Sequence, residues 1–246
     1  MSGPGLAGIG GPVDLVGQIG LVGDIWRYLT ASSSWAGDSG LGALTRAHLW
    51  ISLVSTLAAV ALAVPPAVWL AHRRQLPLLS VALVNVGRAV PSFAIVAFVF
   101  PLSIRYGFGL GFWPTCVALV ALGIPPIFTN TYAGVAGVAP DVVEAARGMG
   151  MTGPQVLGRV ELPLALPLIL TGLRLSAVQI TATATLGAFV GYECLGTPIL
   201  QGLARGVAGR PQLVGGALLV IAAALATDAV IGRMIPRLVR WPTGLR

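Results

Sequence analysis

Few side chains in this 246-residue chain could do covalent chemistry, and their types and spacing argue against it. All fifteen basic residues are arginine, so no lysine is present to reach the terminal phosphates of a nucleotide held in a P-loop. Cys116 and Cys194 are far apart in the sequence, and His48 and His72 stand alone. A metal site needs more ligands than these offer, and the thiols read as packing groups. The expectation is no catalytic residue and no metal. The polar residues that do form a pattern are of another kind. Glu144-Ala145-Ala146-Arg147-Gly148-Met149-Gly150, followed by Val160-Glu161-Leu162-Pro163, is a charged, helix-forming elbow between long hydrophobic runs. Its chemistry is that of a docking surface presented to a soluble partner.

The elements that must position the elbow are set by composition. Hydrophobic residues make up 56% of the chain and charged residues 9%. A soluble domain carries roughly a quarter charged residues, so these cannot build a water-facing surface. The chain reads as an all-α integral membrane protein, with the lipid bilayer as its main partner and length for one bundle of about five or six helices. The net charge of +7 comes from arginines that flank apolar spans. That is a topology signal and not a nucleic-acid footprint. The N-terminus lacks a basic region followed by a short apolar stretch and cleavage site, so no removable signal peptide is expected.

Five stretches are nearly free of charge, at about 49–71, 78–104, 112–138, 164–192 and 212–235. Each supplies the ~20 residues that a helix rising 1.5 Å per residue needs to cross a ~30 Å hydrocarbon core. Backbone groups in lipid must be bonded internally, and runs of this length favour helices over barrel strands. Pro65-Pro66, Pro91, Pro125-Pro126 and Pro167 predict kinks within spans. With five spans, eight arginines at 73, 74, 147, 159, 233, 237, 240 and 246 lie on one side, against five at 27, 46, 105, 205 and 210. The denser side is expected to be cytoplasmic, which places the elbow and C-terminus inside and the N-terminus outside. Trp50, Trp69, Trp113, Tyr192 and Trp241 fall near span ends, as interfacial aromatics do.

Residues 1–47 read as an extracytoplasmic segment, 48–240 as the membrane domain with the elbow at about 139–163, and 241–246 as a cytoplasmic tail. Within the first segment Leu15, Val16, Ile19, Val22, Trp26 and Leu29 recur at helical spacing. A helix lying on the outer surface is the favoured reading. The alternative is a sixth span, which would put Asp24 and Arg27 in lipid.

Locally, the elbow reads as two short helices. Asp141 follows Pro140 and can cap the first, with Glu144 at capping-box spacing. Val142, Ala145 and Met149 would share an apolar face, with Asp141, Glu144 and Arg147 pointing away. Gly148 and Gly150 would end that helix by supplying left-handed backbone. Thr152-x-x-Gln155 repeats the capping spacing and starts the second helix, which runs to Leu162-Pro163.

At these residues the chain resembles the membrane subunits of binding-protein-dependent ABC importers. That family's cytoplasmic signature is Glu-Ala-Ala, three residues, Gly, nine residues, then an aliphatic, one residue and Leu-Pro. The match here is Glu144-Ala145-Ala146, Gly150, Val160 and Leu162-Pro163, with Val where Ile is usual. A narrower resemblance, over about residues 48–235, is to the osmoprotectant branch. It is carried by Asn130-Thr131-Tyr132-Ala133-Gly134-Val135, Ala139-Pro140, Arg147-Gly148-Met149-Gly150-Met151-Thr152 and Val160-Glu161-Leu162-Pro163-Leu164-Ala165-Leu166-Pro167, while Gly87-Arg88-Ala89-Val90 departs from it. The resemblance implies the permease architecture of type I ABC importers, with an elbow that is the coupling helix seated in a groove of the ATPase. The coupling residues would be Asp141, Glu144, Ala145, Ala146, Arg147, Gly148, Met149, Gly150, Leu162 and Pro163. It also implies cytoplasmic ATPase subunits that hold ATP and Mg, so that this chain binds no cofactor. A second permease subunit, identical or homologous, and an extracytoplasmic substrate-binding protein would complete a complex in a bacterial cell membrane. The branch imports glycine betaine, choline, carnitine or proline.

Three charges, Arg88, Arg174 and Asp228, lie within or near spans, where ionisable groups are usually paired or pathway-lining. Arg174 and Asp228 are expected to form an intramembrane ion pair, with a substrate contact as the alternative. Ser176, Gln179 and Thr183 give the fourth span a polar stripe that either lines a translocation path or joins helices, beside the small residues Gly172, Ala184 and Gly187. The expected mechanism is alternating access driven by the ATPase, without covalent chemistry in this chain. A permease for another small solute, such as an amino acid, is the nearest alternative. A gradient-driven secondary transporter would want internal repeats and intramembrane carboxylates, and only Asp228 qualifies.

Overall fold

The computed structural model describes residues 15–75, 82 and 91–238. Among these the regular structure is helical, in the order α1 (Leu15–Thr30), α2 (Ser32–Trp35), α3 (Leu41–His72), α4 (Ser92–Arg105), α5 (Phe112–Ala136), α6 (Pro140–Gly148), α7 (Gly153–Val156), α8 (Leu162–Thr183), α9 (Gly196–Ala204) and α10 (Arg210–Leu238). A π-helical turn at Leu157–Glu161 leads into α8, and a 3₁₀ segment at Ala184–Val190 leads out of it. Four helical stretches are long and apolar enough to cross a membrane: Leu41–His72, Phe112–Ala136, Gly153–Val190 and Gly206–Pro236. The chain is therefore a multi-pass membrane protein.

The second expected span is represented by α4, whose 14 residues rise about 21 Å, short of a ~30 Å core. The stretch expected to precede it, 78–90 with Arg88, lies outside the described residues apart from residue 82. Residues 1–14 and the tail at 241–246 also lie outside them. The first span is longer than expected. α3 starts at Leu41, not near Leu49, because Leu41, Leu44 and His48 are buried and pull eight further residues into the helix. Pro65 and Pro66 sit inside α3, and Pro125 and Pro126 inside α5, without ending either helix.

α5 is the central helix, packed between α3 and α8. Ala59, Ala63, Ala67 and Ala71 recur every four residues along α3 and are buried in the main core with Leu119, Ile127, Val135 and Ile180. Helix association in lipid depends on close packing by small residues, and the glycines show how close. A Cβ on Gly123 of α5 would sit 2.7 Å from Ile180 Cδ1 and 3.1 Å from Ala59 Cβ. A Cβ on Gly172 of α8 would sit 2.7 Å from Asn130 Cβ and 2.9 Å from the Pro126 carbonyl. α10 is peripheral: it packs on α8, α9 and α1 while Leu218, Ile221, Leu225 and Val230 face outward. The 16-residue α1 spans about 24 Å. Its Tyr28 and Leu29 rest on Gly215 of α10, and an Asp24–Arg27 pair lies at the surface.

Candidate functional site

The elbow is a folded unit with its own small core. Val138, Val143, Ala146 and Val156 are buried together, with Met151 and Val160 against them. α6 begins with Pro140 in its first turn, where a missing N–H costs nothing. The expected Asp141 cap is not made: the N-cap position is Ala139, without a side-chain bond. Asp141 lies one step further in, where its charge meets the positive end of the helix, and Arg147 meets the negative end. Proline at the first helical position shifted the start by two residues.

Gly150 alone supplies the left-handed stop, at φ +83°, while Gly148 is the last helical residue. The Gly150 amide donates to the Arg147 carbonyl at 2.9 Å and the Met151 amide to the Ala146 carbonyl at 3.2 Å. That pair of bonds is a Schellman closure, with Met151 and Ala146 in the same core as its usual apolar contact. The Thr152/Gln155 capping box is formed, and the Thr152 amide donates to Gln155 Oε1 at 2.8 Å.

The apolar face of α6 is turned the other way from the sequence reading. Val143 and Ala146 face the elbow core, whereas Val142, Ala145 and Met149 are exposed, Met149 by 77%. Val138 and Val156, which come from outside the helix, decide which face is covered. Glu144 and Arg147 are exposed as well, and nothing lies within 4 Å of a Cβ built on Gly148 or Gly150. Leu162 packs on the main core, and Pro163 lies exposed in the first turn of α8.

Two contacts fasten this unit to the bundle, and sequence spacing points to neither. His72 closes α3, and its Nδ1 lies 2.5 Å from Glu161 Oε2. A carboxylate can only accept, so Nδ1 carries the hydrogen. The Glu161 side chain is 3% exposed. His72 is thus not solitary, although it holds no metal ligand set. Arg74, the one described non-glycine residue at positive φ, donates to the Ala136 and Val138 carbonyls at 2.9 and 3.3 Å. Beside them the Tyr132 hydroxyl donates to the Gln75 carbonyl at 2.9 Å, which ties α5 to the residues that follow α3.

Within the bundle, Arg174 of α8 and Asp228 of α10 meet in a two-point pair, with Nε to Oδ1 and Nη2 to Oδ2 both 2.6 Å. Gly232, one turn after Asp228, leaves room for the guanidinium: a Cβ there would lie 3.2 Å from Arg174 Cζ. The expected pair is formed, with its side chains 40% and 38% exposed in the single chain. α10 is an edge helix, so one side of the pair stays open.

The polar stripe divides. Ser176 is fully buried and donates to the Gly123 carbonyl at 3.0 Å, which makes it a helix-joining group. Gln179 and Thr183 are half-buried. None of the three lines the cavity of about 380 Å³ between α3, α8 and α10. Its hydroxyls come from Ser52, Thr56, Thr181 and Thr227. Each donates to the carbonyl four residues back in its own helix, so each turns only lone pairs to the cavity. The i,i+4 spacing of Ser52 and Thr56 was the available signal. Cys194 is buried, and burial pushes its thiol up, so it is an inert packing group. No three His, Cys, Asp or Glu side chains are grouped to hold a metal among the described residues.

Comparison with known proteins decides which family the chain belongs to. Residues 61–240 match the model of the binding-protein-dependent transport system inner membrane component. The chain belongs to that family. It is 38% identical over 192 residues to the carnitine transport permease protein OpuCB of Listeria monocytogenes, covering 78% of this chain and 84% of the relative. It is 36% identical over 187 residues to the glycine betaine/carnitine/choline transport system permease protein OpuCB of Bacillus subtilis strain 168, covering 76% and 83%. Among solved structures, the inward-facing MetNI methionine ABC transporter superposes with a TM-score of 0.69 at 22% identity, over 82% of this chain and 96% of that one. The fold is therefore that of an ABC importer permease, and the family role is a non-catalytic membrane subunit.

Proposed function

We propose that this chain is the permease subunit of an ATP-driven importer of compact osmolytes, with glycine betaine, choline and carnitine as the leading solutes. The carrying observation is the elbow: a short helix with Val142, Ala145 and Met149 exposed beside Glu144, fastened from behind by Glu161–His72 and Arg74. An apolar face uncovered at the end of a membrane bundle, on a rigid support, is a surface for a soluble partner. The partner proposed is a cytoplasmic ABC ATPase, which would hold the ATP and Mg that this chain does not bind. The arginine-rich side then faces the cytoplasm, the N-terminus faces outward, and a binding protein delivers solute there. The solute class rests on the names of the relatives that are 36–38% identical over three-quarters of the chain.

In this reading a second permease subunit packs alongside, and Gln179 and Thr183, half-buried in one chain, face the path between them. Closure of the ATPases moves the elbow, and the His72–Glu161 contact passes that movement to the end of α3. The test is co-purification: the ATPase subunit stays with the wild-type chain and separates from Val142→Arg and Met149→Arg. Retention by both variants would show that this face is not the docking surface.

A further inference from the structure

The loop between α4 and α5 is built with unusual care for a short connection. Gly107, Gly109 and Gly111 all have positive φ, at +77°, +75° and +81°, which ordinary side chains rarely adopt. The Phe108 amide donates to the Ser103 carbonyl at 2.9 Å, Ser103 Oγ donates to the Gly109 carbonyl at 2.8 Å, and the Gly111 amide donates to the Val190 carbonyl at 2.8 Å. This backbone brings Tyr106 and Phe108 to Trp113, the second residue of α5. Their rings line a cavity of about 390 Å³ with Leu102, Ser103 and Val117. The Phe108 and Trp113 ring centroids are 5.9 Å apart and the planes are tilted by 53°, so the rings are splayed and not stacked shut. α5 has 25 residues and rises about 37 Å, which puts this cavity at the opposite end of the bundle from the elbow.

The lining is mostly apolar and aromatic. Ser103 already donates its hydroxyl to the Gly109 carbonyl, which leaves the Tyr106 hydroxyl and the Trp113 indole N–H as its side-chain donors. A methylated ammonium needs no donor and is attracted by aromatic faces. Arg105 lies one residue before Tyr106 but does not line the cavity. We propose that the Tyr106–Phe108–Trp113 cavity is a receiving site for a quaternary ammonium group. The proposal deepens the osmolyte reading above and rests on it. Because the rings are each half-exposed or more, the site is weak, in the millimolar range, and suits transient hand-off from a tighter delivery protein.

The test uses the full chain in phosphatidylglycerol nanodiscs and saturation-transfer NMR from aromatic protons to the methyl signal of choline. Choline is compared with 3,3-dimethylbutan-1-ol, its uncharged isostere. Expected are transfer to choline at least about fivefold stronger than to the isostere, loss of most of it in Phe108→Leu and Trp113→Leu, and retention in Tyr106→Phe. Equal signals from choline and the isostere overturn the proposal without any variant, because the rings are then only an apolar belt at the membrane surface. So does an unchanged signal in both leucine variants. Repeating the titration with phosphatidylcholine in the disc separates sources: competition by the lipid means that headgroups share the site, and no competition assigns it to the free solute. Uptake of choline and glycine betaine by wild-type complex is measured beside it. Absent uptake with intact transfer refutes the transport reading alone, and uptake with absent transfer refutes the cavity alone.

Discussion

Replacing His72 with leucine probes how the elbow is held. The described residues give the Glu161 carboxylate one side-chain partner, His72 Nδ1 at 2.5 Å, in a site where Glu161 is 3% exposed. Removing one member of a buried pair costs about 3–5 kcal/mol, since the survivor keeps its desolvation without compensation. His72 itself is 19% exposed, so water reaches the vacated side and the low end applies. The expected loss is about 3 kcal/mol, roughly a hundredfold in the opening equilibrium of this unit. His72→Leu/Glu161→Leu should recover much of it, because no charge is left behind. Unfolding in mixed micelles, with hydrogen exchange of residues 157–161, measures both terms. A loss under about 0.5 kcal/mol, or additive single and double variants, would refute the clasp.

Three further outcomes are expected. Glu144→Arg and Gly148→Trp should insert normally yet abolish stimulation of the partner ATPase in reconstituted vesicles, because both residues are exposed on the elbow and neither needs left-handed backbone; normal stimulation removes the coupling assignment. Arg174→Met and Asp228→Leu should be strongly non-additive in a double-mutant cycle, with Gly232→Leu mimicking the single variants by crowding the guanidinium; additivity would mean that the two-point pair does not persist in the bilayer. Exchanging binding proteins between related transporters should move solute preference with the binding protein. Preference that stays with this chain, or micromolar binding of choline by it alone, contradicts a weak receiving site.

What could be read from the residues was local. Long uncharged runs predict helices in lipid, and α3, α5, α8 and α10 follow them. Thr152-x-x-Gln155 and Gly150 are short-range devices, and both act as their spacing implies. Misreadings arose where a tertiary partner decides. The covered face of α6 depends on Val138 and Val156, and the start of α3 on burial of Leu41 and Leu44. His72 and Glu161 are 89 residues apart, and no periodicity joins them. The aromatic cavity is not legible from helical spacing, because two of its rings come from the end of α4 and the loop after it, placed by three glycines whose positive φ only the structure reveals.

The measurement that bears most directly on the account is solute uptake by proteoliposomes containing this chain, its ATPase and its binding protein. The account predicts accumulation of glycine betaine, choline or carnitine that requires ATP on the elbow side and binding protein on the other. Uptake that proceeds without ATP hydrolysis and follows an imposed ion gradient would contradict it.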